Sequence, residues 1–89
     1  MARMIDLYHR TSPEKATEIH TTGRWTSLEN TQEAYFSNRR DGQAVGYGTA
    51  VVHVRVPEEW AELDDEFPDG EQHFRVKVAL LGHEHLVQD

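Results

Sequence analysis

The chain's 89 residues are enough for one domain spanning 1–89, and a chain this short buries only roughly 60–65% of the surface its unfolded form exposes. Acidic side chains outnumber Lys plus Arg by 16 to 9, for a formal charge of −7, which disfavours a nucleic-acid partner because phosphate binding depends on clustered cations and counterion release. No cysteine is present, which removes disulfides, thiol nucleophiles and thiolate metal sites; no apolar run suits a signal peptide or membrane span, so the expected location is cytoplasmic.

Residues 4–9 alternate loosely around Ile5, Leu7 and Tyr8 and predict a first strand. A helix follows to about Thr22, with Ser12 as its N-cap, Pro13 at its first position, Glu14 at the positive end of its dipole and Gly23 as its stop. Residues 25–28 predict a short strand and 28–32 a polar loop. Residues 34–37 (Ala-Tyr-Phe-Ser) predict another strand, Asp41-Gly42 a turn, and 43–47 one or two helical turns ending at Tyr47 between two glycines. Residues 50–56 form the clearest strand by β-propensity, closed by Pro57. The acidic stretch 58–69 reads as a loop pinned by Trp60, Leu63 and Phe67, ending in a Pro68-Asp69-Gly70 turn. A last strand is predicted over 74–81, with 82–89 extending it or adding another. Several short strands and one helix give an α+β or mainly β class.

Three short patterns carry chemistry. Leu7-Tyr8-His9-Arg10-Thr11-Ser12, a strand end feeding a helix that closes at Thr22-Gly23, resembles the first motif of the histidine–tyrosine type of ADP-ribosyltransferases. Tyr35-Phe36-Ser37, followed by Ala44-Val45-Gly46-Tyr47, resembles the second motif, as in rifampin ADP-ribosyltransferases and poly-ADP-ribose polymerases. Glu71-Gln72-His73-Phe74-Arg75-Val76 resembles the third, where an acid opens a late strand. Two positions depart from the pattern: Arg10 stands where the family usually has glycine, and His73 stands where its acid directly precedes the strand. The resemblance implies a small split antiparallel sheet with one main helix and NAD as substrate, without a metal. It also implies transfer of ADP-ribose to an acceptor protein or small molecule, or NAD glycohydrolysis. Small relatives of this type resemble toxins or effectors, which implies a neutralising partner protein.

Breaking the nicotinamide–ribose bond places positive charge on the sugar, and a nearby carboxylate stabilises it. Glu71 fits that role, with Asp64, Asp65 and His73 as rivals; its plainer reading is a solvated loop acid. His9 can bind a ribose hydroxyl through an imidazole that both donates and accepts; otherwise it is a partly buried loop histidine. Tyr35 and Tyr47 can clamp a pyridinium ring by stacking, or be ordinary core and turn aromatics. The resemblance adds Arg10, Thr11 and Ser37 as NAD contacts. Arg39-Arg40 suits a pyrophosphate but reads first as surface charge, and His83-x-His85 is a weak metal pair that lacks a third ligand. Two other classes remain open: a degenerate NAD or ADP-ribose binding module without turnover, and an acidic interaction domain whose residues 58–66 engage a basic partner.

Overall fold

The computed structural model describes residues 3–23, 25, 33–40 and 48–87. Within them run β1 (Met4–Thr11), α1 (Pro13–Thr22), β2 (Glu33–Ser37), β3 (Ala50–Pro57), β4 (Glu62–Glu66) and β5 (Gln72–Lys77). Single 3₁₀ turns occupy Glu58–Trp60, Val78–Leu80 and His83–His85. The helix begins and ends where its capping residues dictate. Ser12 Oγ accepts from the Lys15 amide at 3.3 Å, and Gly23, left-handed at φ 71°, returns its amide to the Ile19 carbonyl. No helix among the described residues is long and apolar enough to cross a membrane.

The five strands form one antiparallel sheet in the order β3-β1-β2-β5-β4, which makes the domain α+β. The β1–β3 ladder pairs all eight residues of each strand, and β2 pairs β5 along its whole length. Between them, β1 and β2 share a single registered pair, Tyr8 with Ser37. The sheet is therefore two ladders joined at one point.

Alternation gives each face its character. Leu7, Val52, Val54, Val56, Phe36 and Val76 point to one side and form the core with Ile19 of α1, Trp25 and Leu81. Cross-strand partners share a face, so His53, Tyr8, Ser37 and His73 form a polar row across the other side. Asp6 and Arg55 sit beside it, with Asp6 accepting from Arg55 Nε at 3.0 Å and from His53 Nε2 at 2.8 Å. The protonatable partner His53 and the Arg55 guanidinium hold the Asp6 carboxyl below its usual value.

Several sequence expectations need correction. The acidic segment is not all loop: Glu62–Glu66 is an edge strand, every residue exposed. Its carboxylates are tolerated because solvent bathes one edge, while Arg75 of β5 bridges Glu62 at 3.1 Å and Asp64 at 3.4 Å. The last long strand stops at Lys77, where the chain tightens into the Val78–Leu80 turn and returns Leu81 to the core. His83 and His85 lie on a 3₁₀ turn, not on a strand face. His85 instead packs on Trp60 and accepts the Gly82 amide through Nδ1. The expectations for 26–32 and 41–47, including Tyr47, lie outside the described residues.

Gly48 passes directly over the end of β1 with φ 153°, and a Cβ there would lie 2.1 Å from the Thr11 carbonyl oxygen. Gly48→Ala is therefore predicted to destabilise the domain by about 2–3 kcal/mol, read from the urea midpoint; an unchanged midpoint would show that the crossing gives way freely.

Candidate functional site

The joint between β1 and β2 organises the polar chemistry. Beyond Tyr8–Ser37 the strands diverge, and the Tyr35 carbonyl receives no ladder partner from β1. The His9 side chain fills that role, its Nδ1 lying 2.7 Å from Tyr35 O. A carbonyl only accepts, so Nδ1 carries the proton. Burial lowers the pKa of His9 below 6.5, against the smaller opposing pull of the Tyr35 carbonyl. The ring is thus neutral at pH 7 and Nε2 is left as an acceptor. Its faces and edges meet Trp25, at 5.2 Å between centroids, and Phe36, at 5.4 Å, on the core side of the joint.

Two residues along β2, Ser37 anchors a second group. Its hydroxyl donates to Glu71 Oε2 at 2.7 Å and accepts the Arg39 amide at 3.0 Å. His73 Nε2 reaches the same carboxylate oxygen at 2.9 Å, and Phe67 stands edge-on to the His73 ring. Glu71 is only 1% exposed, so it is not the solvated loop acid that its neighbours in sequence suggest. A buried carboxylate persists where several donors compensate its lost hydration. The surrounding turns are stitched together as well. Asn38 exchanges bonds with Gln72 at its amide and carbonyl, Arg39 pairs with Asp69 at 3.2 Å, and Asp69 Oδ1 takes the Glu71 amide.

The predicted site residues therefore divide around β2. His9 binds the Tyr35 carbonyl on the core side, whereas Ser37 and Glu71 meet on the polar side; His9 and Glu71 are not in contact. The Tyr35 ring, 50% exposed, stands on the polar side between them in sequence. Arg10 donates from Nη2 to the Arg40 carbonyl at 2.9 Å, and the Arg40 guanidinium lies 5.0 Å over the Tyr8 ring. Thr11 ends β1 opposite Ala50. Among the rival acids, Asp64 is paired with Arg75, and Asp65 lies on the exposed edge strand opposite His73. His73 and Ser37 enclose Glu71, a role for which i, i+2 alternation between Glu71 and His73 was the sequence signal. Trp25 carried no such signal.

A hollow of about 230 Å³ opens at the other end of the joint, where the first half of β1 has no β2 partner; Ile5, Leu7, Asn38 and Phe74 contribute to its lining. It is smaller than the roughly 300–1,000 Å³ typical of small-molecule sites. Comparisons with protein-family models, with curated proteins and with solved structures returned no match.

Two predictions follow from this geometry. Removing the carboxylate strands the Ser37 and His73 donors, so Glu71→Ala costs about 2–4 kcal/mol in urea unfolding, and the isosteric Glu71→Gln less than half of that; equal losses would place the stabilisation in the carboxylate's charge rather than in packing or a neutral acceptor. The lowered pKa of His9 means that the unfolded chain binds its proton first as pH falls through 6.5. Stability is then fully present above pH 6.5 and declines as pH falls toward the folded value. His9→Asn, whose amide can still donate to Tyr35, should flatten this decline between pH 7.5 and 5.5; an unchanged slope would assign it to another histidine.

Proposed function

We propose that the chain binds NAD at the β1–β2 joint and breaks its nicotinamide–ribose bond, passing ADP-ribose to a protein, a small molecule or water. The observation that carries this reading is the Glu71 carboxylate, buried and held in place by Ser37 and His73 on the side of β2 to which the half-exposed Tyr35 also alternates. A preoriented carboxylate in a low-dielectric setting stabilises developing positive charge without reorganising. As the C1′–N bond breaks, its electron pair leaves with nicotinamide. The cationic ribose, opposed by Glu71, is then captured by the acceptor, whose proton is released. In this reading the neutral His9 accepts a ribose hydroxyl at Nε2 and Tyr35 stacks on the nicotinamide ring. Tyr47 is its second clamp, and Arg10, Thr11 and Ser37 line the NAD path. The fold family implied is the ADP-ribosyltransferase-like one, with a split sheet; two ladders joined at one pair support it. We further propose a cytoplasmic toxin or effector role with a neutralising partner, supported only by the sequence resemblance.

A second reading is favoured by one specific feature. Glu71 Oε2 already accepts two hydrogen bonds and the residue is enclosed. A site with its acid so occupied suits a module that binds NAD or ADP-ribose without turnover. Nicotinamide release from NAD separates the two. The first reading predicts release that falls at least about a hundredfold in Glu71→Gln while NAD affinity changes little. Saturable NAD binding without release supports the module; neither binding nor release overturns both.

A further inference from the structure

Glu71 and His73 differ in what a solute can reach. The Glu71 side chain is 1% exposed, whereas that of His73 is 21% exposed. A carboxylate only accepts, so the 2.9 Å contact between them places a proton on His73 Nε2. The other ring nitrogen, Nδ1, bonds to no described group. Among the described residues, the buried side-chain nitrogens without a partner are Arg10 Nε, Trp25 Nε1 and Arg75 Nε. His73 Nδ1 is not one of them, so it meets solvent. The residue is fixed in register between Ser37 of β2 and Asp65 of β4, with the Phe67 ring edge-on at 4.8 Å. Alternation sets it on the same side of the sheet as Tyr35.

An imidazole with one N–H tied to a buried carboxylate and its other nitrogen open has the arrangement of a general base. The carboxylate fixes the tautomer, so the lone pair faces outward. It also stabilises the imidazolium that forms when that lone pair takes a proton. A residue that served only to satisfy Glu71 would need one N–H and no basic nitrogen, and an amide side chain would meet that need.

We propose that His73 is a general base, its Nδ1 taking the proton of an O–H acceptor, with Glu71 as the residue that positions it. That the electrophile is the ribose C1′ of NAD rests on the reading given above; the oriented base does not. In that setting the acceptor oxygen bonds to C1′ as the C1′–N bond breaks. The electron pair of the broken bond leaves with nicotinamide, and the acceptor's proton passes to Nδ1. The imidazolium, held opposite Glu71, then returns the proton to solvent. The acceptor class is therefore one that must lose a proton to react, water or an alcohol.

His73→Gln keeps an N–H for Glu71 and removes the basic nitrogen. With NAD and water, nicotinamide release should fall about a hundredfold in this variant, while NAD affinity and the urea midpoint change little. Azide, an anionic nucleophile with no proton to lose, should restore release and form ADP-ribosyl azide, identified by its mass. Unchanged release in the variant overturns the base and leaves the NAD reading standing. So does a loss that azide does not restore, which makes His73 a support for Glu71 alone. If the unaltered chain releases no nicotinamide, or the variant does not fold, acylation of the unaltered chain by diethyl pyrocarbonate decides, read histidine by histidine from peptide masses. His73 should then react at least as fast as the exposed His20 of α1. Slower reaction overturns the base; fast reaction in a chain that releases no nicotinamide keeps the base and removes the cleavage reading.

Discussion

The single registered pair between Tyr8 and Ser37 is the constraint on which the rest of the molecule turns. On one side of it lies the eight-residue β1–β3 ladder, on the other the β2-β5-β4 group. A sheet joined so narrowly leaves backbone groups without ladder partners where the strands part, and such groups must be satisfied when buried. His9 answers that demand at the Tyr35 carbonyl. The same bond fixes its tautomer and leaves its second nitrogen as an acceptor. Three consecutive residues of β2 then divide the labour: Tyr35 holds His9 by its backbone and exposes its ring, Phe36 enters the core, and Ser37 holds Glu71.

Glu71 shows how an acidic protein comes to bury one carboxylate. The cost of removing a charge from water is several kcal/mol unless donors replace the lost hydration. Ser37 and His73 supply those donors, and the turn at 37–39 is stitched to 69–73 by Asn38, Arg39 and Asp69. The same bonds that offset burial also aim the carboxylate and hold the two turns together. Breaking them is therefore felt in stability as well as in any chemistry that uses Glu71. The exposed acids of β4 differ in kind: they lie along a solvated edge, where charge discourages strand addition.

Much of this architecture was legible in the sequence because its signals are local. Ser12, Pro13 and Gly23 marked both ends of α1, and the β-branched run of β3 marked the strand at the core. The strand at 62–66 was hidden because acids are depleted in strands generally, and its stability comes from β5 and Arg75 rather than from its own residues. The candidate site was half legible. His9, Tyr35, Ser37 and Glu71 stood out by motif, but pattern alone could not show that Glu71 is enclosed or that His9 bonds to the backbone of β2. Trp25 had no distinguishing pattern, since an unpartnered indole nitrogen is a property of packing.

Backbone amide correlation spectra recorded during an NAD titration test the central claim most directly, that β2 and the ends of β1 and β5 beside it form a nucleotide site. The account predicts saturable shifts centred on residues 9–11, 35–37 and 71–73. Shifts confined to the acidic edge at 62–66, or none at millimolar NAD, would contradict it.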